Sequence, residues 1–241
     1  MDAQYTRDYR DLYAHHWWWR SREALLTRVL QALAAQRPLG RILDVGCGDG
    51  LFFPILERFG EPYGVEPAAE ALSPDSPWRS RIVNGRLDAS YQPPERFDLV
   101  LALDVIEHLD DPRAFLAQVR RLVAPEGWFV ATVPAFRSLW TAHDELNHHV
   151  TRFTREEFSA LIVEHGFAVV DARYFFVLLA LAKLAMRGLE AVLRSPPRPP
   201  RVPPATVNAI LMAICRAEQA LLAHREPWFG SSLLVVAQAR R

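Results

Sequence analysis

The sequence predicts an α/β fold in which seven strands form a mostly parallel sheet, helices cover both faces, and a helical insertion interrupts the last two strands. Three observations predict it. Short apolar, β-prone runs alternate with stretches of helical periodicity. The first such run, Ile42 to Val45, passes through the cluster Gly46/Gly48/Gly50 into the apolar stretch Leu51-Phe-Phe-Pro-Ile-Leu56, which reads as strand, tight turn and helix. Phe97-Asp-Leu-Val-Leu-Ala-Leu103 is nearly continuously apolar, as a parallel strand covered on both faces must be.

Taken in order, residues 1–36 read as an aromatic and helical cap. His15-His-Trp-Trp-Trp-Arg20-Ser-Arg22 precedes Leu25, Leu26, Val29, Leu30 and Leu33 at helical spacing, and Pro38 stops the pattern. Three successive tryptophans cannot share one helix face, so at least one is expected to look outward or into a pocket. Pro62 to Glu66 is a second strand ending on an acid, and Arg81 to Asn84 a third, left through Arg86, Leu87 and Asp88. Asp111-Pro112 starts a helix with Phe115, Leu116, Val119 and Leu122 inward; Pro125-Glu-Gly127 is a turn, and Trp128 to Val133 a fifth strand. The capping box Thr154-x-x-Glu157 opens the next helix, Gly166 closes it, and Phe167 to Tyr174 is a sixth strand. The seventh is Ser231 to Ala239.

The glycine loop belongs to a nucleoside-binding crevice, because the glycines let the backbone approach a ligand and the following helix turns its amides toward it. Spacing and charge select the ligand. A dinucleotide site uses G-x-G-x-x-G, whereas here Asp44 precedes Gly46-x-Gly48-x-Gly50, and an aspartate at the strand end would repel a pyrophosphate and suit an amino group. Asp44-Val-Gly-Cys-Gly-Asp-Gly50 resembles motif I of the class I S-adenosylmethionine (SAM) dependent methyltransferases. Phe97 to His108 resembles motif IV of the ubiquinone O-methyltransferases and their relatives. The resemblance implies a Rossmann-like SAM methyltransferase fold with strand order 3-2-1-4-5-7-6. It implies SAM as cofactor and S-adenosylhomocysteine as product, held by Asp44, Gly46, Cys47, Gly48, Gly50, Glu66, Leu103 and Asp104. Glu66 stands where an acid accepts the ribose hydroxyls. Arg22 is a candidate for the SAM carboxylate, with His15, His16 and the tryptophans as substrate walls. Relatives place an acid where Arg86 stands, so Leu87, through its backbone, and Asp88 are the candidates beside the adenine. The core is expected over 37–174 and 229–241.

Asp104-x-x-Glu107-His108 admits three readings. His108 could be the base that takes a proton from an acceptor hydroxyl; Asp104, Glu107 and His108 could hold a divalent ion, as some relatives are thought to do; or the carboxylates could merely favour a helix start. The stretch after the fifth strand concentrates His143, His148 and His149 in seven residues beside Asp144, Trp140 and Arg152. A similar run recurs in a bacterial methyltransferase group. His143, Asp144, His148 and His149 are therefore, with His108, candidate substrate-binding or proton-accepting residues.

Residues 175–228 are read as a helical hairpin insertion. Phe175 to Ala182 is wholly apolar, a thin polar stripe (Lys183, Arg187, Glu190, Arg194) follows, and a proline-rich link leads to a second amphipathic helix. A lid over the acceptor, an interfacial membrane contact and a homodimer interface are its three readings; the first helix is too polar at its centre to span a bilayer.

Composition narrows the class. With 28 basic and 28 acidic residues there is no electrostatic footprint for nucleic acid. Two cysteines, Cys47 and Cys215, give neither a disulfide framework nor metal spacing, and the N-terminus lacks an apolar leader, so a cytoplasmic protein is expected. The expected reaction is methyl transfer to a small-molecule or lipid-like acceptor, such as a quinone or glycan-linked compound, with O-methylation ahead of N- and C-methylation. A NAD-dependent oxidoreductase would need the longer glycine spacing. A non-catalytic membrane- or partner-binding module on the same fold would explain the apolar insertion but leave the histidine loop without a role.

Overall fold

The computed structural model describes residues 3–193, 200–222 and 225–240. Two helices open the chain, α1 (Ala3–His15) and α2 (Trp17–Ala34), followed by β1 (Arg41–Val45), the short α3 (Phe53–Leu56) and β2 (Glu61–Glu66). Then come β3 (Ile82–Asn84), β4 (Phe97–Leu103), α4 (Pro112–Leu122) and β5 (Val123–Pro134). The remainder is α5 (Ala142–Leu146), α6 (Arg155–Glu164), β6 (Phe167–Phe175), α7 (Val177–Leu193), α8 (Ala205–Leu221) and β7 (Ser232–Ala239).

The seven strands form one sheet in the order 3-2-1-4-5-7-6. Strands β1 to β5 are parallel, and β7 runs antiparallel between β5 and β6. The reversal between β1 and β4 opens a crevice beyond their carboxyl ends, where ligands of such sheets bind. Two apolar cores flank the sheet. One gathers Leu43, Val100, Phe129 and Val235 beneath α4 and α6; the other gathers Ile42, Leu101, Val130 and Leu234 beneath α2 and α3. Alternate residues of the same strands feed opposite cores, as the pleat requires, and this is why Leu99–Leu103 is apolar throughout.

Local chemistry sets most boundaries. Asp111 caps α4 by accepting from Arg113 and Ala114 amides (both 3.0 Å), and Pro112 begins it. The capping box at Thr154 and Glu157 forms as expected, and Gly166 closes α6 at φ +81°. Glu107 and His108, by contrast, lie on a single 3-10 turn, Ile106–His108, rather than at the start of a long helix.

The insertion consists of α7 and α8 and is fastened by polar contacts. α8 lies along α2, where Gln219 donates to the Ser21 carbonyl (2.9 Å) and Arg28 donates to Gln219 (2.5 Å). Asn208 accepts from the Trp17 amide (2.8 Å) and donates to the His15 carbonyl (2.7 Å). α7 meets α8 through a cap: buried Glu218 accepts from the Val177 and Leu178 amides at 2.8 and 2.9 Å. A carboxylate at a helix N-terminus satisfies two orphan donors and the dipole together. Among the described residues no helix is long and apolar enough to cross a membrane.

Candidate active site

The crevice is lined by Tyr9, Tyr13, Trp19, Arg22, Asp44, Gly46, Cys47 and Leu103, so α1 and α2 close it from above. Gly46 has φ +71°, and a Cβ there would lie 2.7 Å from a methyl of Val105, so only glycine fits. Gly48, at φ +54°, has nothing within 4 Å of where its Cβ would be, which leaves its backbone open to a ligand. Glu66 ends β2, buried. Its carboxylate accepts from the Gly48 and Ala68 amides, both at 2.8 Å, which fixes it beside the loop with lone pairs to spare. Burial raises its pKa.

Arg22 reaches across the crevice from α2. It pairs with Asp104 (2.8 Å) and donates to Thr132 (3.2 Å), which in turn donates to Asp104 (3.0 Å). Its guanidinium lies 5.4 Å above the Trp18 ring, and its Nε is a buried donor without a partner. Asp44 is buried in the same crevice. Desolvation, with Glu66 adding, pushes its pKa up to about 7 against the pull of Arg22. An orphaned guanidinium nitrogen and a carboxyl poorly compensated for charge are the complements of a carboxylate and an ammonium. Together with Glu66 and the open backbone at Gly48, these residues fit an amino acid joined to a nucleoside. The Cys47 thiol is pushed up by burial and by Asp44, and it stays protonated.

A second cluster lies where β4 and β5 end. The loop between β5 and α6 is closed at its base, since Phe153 donates to Pro134 and Phe136 to Phe153. At its centre is Asp144, fully buried. Arg152 grips both its oxygens (2.8 and 2.9 Å), the Thr141 amide donates to one (2.9 Å), and His149 Nδ1 donates to the other (2.8 Å). Burial alone would raise the Asp144 carboxyl; the bonds from His149 and Arg152 hold it well below the usual range. Asp144 thus orients His149, leaving Nε2 as the proton-accepting nitrogen. The His149 ring meets that of His108 edge to face at 4.8 Å. Burial and the neighbouring His149 push the His108 pKa down. The loop docks on the Ile106–His108 turn, because the Val150 amide donates to the Glu107 carbonyl (2.7 Å).

Glu107 is buried, one of its carboxyl oxygens has no partner, and burial with Asp104 raises its pKa well above the ordinary value. Glu107, His108 and His149 bring ligand-type atoms within 4.8 Å of one another. Asp104, which one of the three readings placed with Glu107 and His108, is bonded instead to Arg22 and Thr132. Three left-handed residues frame the region, Asp104 (φ +58°), Phe136 (+53°) and His148 (+55°), the kind of backbone strain that collects at functional sites.

The structure therefore joins Arg22, Asp44, Gly46, Cys47, Gly48, Glu66, Leu103 and Asp104 in one crevice, and His108, Asp144 and His149 in an adjoining cluster. Others stand apart. His148 is an exposed turn residue. His143 keeps an open side, although desolvation by its neighbours and the charge of Lys183 push its pKa down to about 4. Asp88 is exposed and closes a local turn by accepting from Ser90 (2.8 and 2.6 Å), while Leu87 packs on the core. His16 caps α2 by accepting from the Trp18 amide (3.1 Å), and Trp17 and Trp18 rest on Phe176 while Trp19 lines the crevice. His15 is exposed and pairs with Asp11. Sequence reasoning missed Asp49, buried in the glycine loop, which binds Arg10 of α1 and accepts from the Ser73 amide (2.9 Å). It also missed Thr132, whose signal would have been a lone hydroxyl in an apolar strand.

A seven-stranded sheet of this order, with its glycine loop and adjoining polar cluster, defines a class I SAM-dependent methyltransferase. A model of the methyltransferase domain matches residues 18–172, more than half of the chain, and the chain belongs to that family. It is 37% identical over 105 residues to a ubiquinone biosynthesis O-methyltransferase of Azorhizobium caulinodans, covering 40% of this chain and 42% of the relative. An uncharacterized methyltransferase of Schizosaccharomyces pombe is 35% identical over 126 residues, 46% of this chain and 44% of the relative. The chain thus spans less than half the length of these curated relatives. Among solved structures, the N-methyltransferase NodS of Bradyrhizobium japonicum shares the fold at a TM-score of 0.54 and 14% identity, covering 91% of this chain and 97% of NodS. The [4+2]-cyclase SpnF does so at 0.54 and 17%, covering 89% and 80%.

Proposed function

We propose that this methyltransferase methylates a hydroxyl of a small, lipid-like acceptor, such as a quinone precursor or glycan-linked compound, with His149 as the proton-accepting group. One observation carries the reading: His149 is held at Nδ1 by Asp144, itself gripped by Arg152, with its ring against that of His108. A hydroxyl becomes a competent nucleophile only as its proton leaves, and an imidazole oriented by a buried carboxylate is suited to take it.

Bound SAM supplies the electrophilic methyl group. The chain's own residues do the rest. Arg22 and Asp44 hold the amino-acid end, Gly46, Cys47, Gly48 and Gly50 provide the backbone cradle, and Glu66 accepts the ribose hydroxyls. Leu103 walls the crevice, Asp104 sets Arg22, and α1 and α2 keep water out. Leu87 and Asp88 remain the candidates nearest an adenine. His108 stays neutral near pH 7, as its lowered pKa requires, and presents a second acceptor to the same hydroxyl.

The lipid-like part of the reading is supported by the insertion. α7 exposes Leu178, Leu181 and Leu184, α8 exposes Val207, Ile210, Ile214 and Leu221, and Trp228 is 82% exposed. Residues 175–228 carry seven basic side chains against three acidic ones in a chain with no net charge. An apolar face with a basic excess and an exposed tryptophan is what contact with an anionic bilayer surface favours.

The test is methyl transfer from labelled SAM to a panel of prenylated phenols and glycolipids. His149→Asn should lower kcat by about 10² to 10⁴, the usual worth of a general base, while leaving S-adenosylhomocysteine affinity unchanged. Undiminished transfer would remove His149 from the mechanism.

A further inference from the structure

Lys183 is the single lysine of the chain; every other one of the 28 basic residues is an arginine. It lies on α7, whose outward arc is apolar: Leu178, Leu181 and Leu184 are 51%, 52% and 43% exposed. Ala180, one turn before it, is fully buried, so Lys183 stands on the inward side of the helix, half-buried. There it shares its surroundings with His143, Asp144, Arg152 and Asp104.

Among the described residues, the two carboxylates of that neighbourhood already have cationic partners. Asp144 is saturated by Arg152, His149 and Thr141, and Asp104 by Arg22 and Thr132. No hydrogen bond or ion pair joins Lys183 to the described residues. Burial, with Arg152 adding and Asp144 and Asp104 opposing, pushes its pKa down to about 8, as expected of a cation without a directly bonded partner. Removing a charge from water without compensation is costly, so a cation held this way at the edge of the histidine cluster is matched to an anion that arrives with the ligand. A compact ammonium on a long stem suits a single oxyanion where a guanidinium would leave donors unpaired.

We propose that Lys183 anchors an anionic group, a carboxylate or a phosphate, carried by the methyl acceptor. This deepens the assignment of the acceptor to the cluster around His149 and rests on it. An acid group within a lysine's reach of the methylated hydroxyl would hold that hydroxyl in line, and a neutral analogue would lose this hold. Lys183 is thereby a specificity-determining residue supplied by the insertion.

Because there is one lysine, protein labelled with 13C at the lysine ε-carbon gives one side-chain signal. With S-adenosylhomocysteine bound, sodium benzoate and inorganic phosphate are titrated separately, ionic strength being matched with sodium chloride. The signal should shift saturably with at least one of them, and its apparent pKa should rise on saturation. By calorimetry, Lys183→Met should weaken binding of that anion by roughly tenfold or more, the worth of a charged hydrogen bond, and Lys183→Arg should retain most of it. A preference for benzoate identifies a carboxylate acceptor, and one for phosphate a phosphorylated one. A signal indifferent to both anions, or equal affinity in Lys183→Met, overturns the proposal. Neither readout needs methyl transfer, so this inference and the role of His149 can fail separately.

Discussion

Asp44 and Asp144 are both buried aspartates beside the carboxyl ends of the sheet, yet their surroundings drive them in opposite directions. Asp44 sits at the end of β1, before the glycine loop, with Glu66 close by and no cation bonded to it, and burial pushes its carboxyl up to about 7. Asp144 has a bidentate arginine, an imidazole and a backbone amide, and is held ionised far into the acid range. The first arrangement is one that a cationic ligand completes; the second is already complete. Binding capacity is left in the cofactor crevice, while the loop between β5 and α6 spends its charges on holding one histidine still.

The largest expected effect comes from breaking the complete site. Asp144→Ala would leave Arg152, 1% exposed, as a buried cation without its partner. The cost should be about 3 to 5 kcal/mol in urea unfolding, together with loss of the His149 orientation. A loss below about 1 kcal/mol would mean that the loop re-forms around Arg152 and that Asp144 is not its centre.

Next in size is the contrast in pH dependence. The Asp44 carboxyl is raised in the folded chain, so its contribution to stability is present below the ordinary aspartate range and is lost as pH rises through about 7. The Asp144 carboxyl is lowered, so its contribution is present at neutral pH and is lost as pH falls below that same ordinary range. Asp44→Asn should therefore remove a decline of about 2 to 4 kcal/mol between pH 4 and pH 7 in the ligand-free protein, while weakening S-adenosylhomocysteine. A wild-type stability flat across that window would show that solvent reaches Asp44.

How legible these two regions are in the sequence follows from the same contrast. The crevice is built from residues close in sequence: strand end, three glycines, and an acid 18 residues beyond Gly48. Local spacing therefore reveals it, and the strand order follows from the family resemblance that this spacing carries. The contacts that close both regions run across the chain. Arg22 of the crevice reaches Thr132 over 110 residues, and Glu218 caps α7 from 41 residues away. Such pairings leave no periodicity, so the histidine loop could be seen to be unusual while Asp144 could not be told from a base. For the same reason Lys183 looked like one polar residue in a stripe until the fold turned it inward.

A smaller effect sharpens the cofactor side. Glu66→Ala should weaken S-adenosylhomocysteine by about 1 to 3 kcal/mol, the range for a lost hydrogen bond to a charged group, and leave binding of benzoate or phosphate unchanged. Calorimetry reads both. Weakening of the two together would join the sites that the geometry separates.

The smallest effect concerns how α1 is fastened. Arg10 pairs with Asp49, and the same carboxylate accepts from the Ser73 amide, so one buried acid ties helix, glycine loop and the 73–80 segment together. The arginine side is 43% exposed, however, and water and salt screen such a pair. Arg10→Ala should therefore cost under about 1 kcal/mol in global stability. Its consequence should be local. Tyr9 and Tyr13 line the crevice from α1, so loosening the helix should speed amide exchange there and hasten release of S-adenosylhomocysteine. The wild-type release rate should rise with salt and the variant's should not. If both rates respond alike, α1 is held over the crevice by its tyrosines and tryptophans, and the ion pair only sets its register.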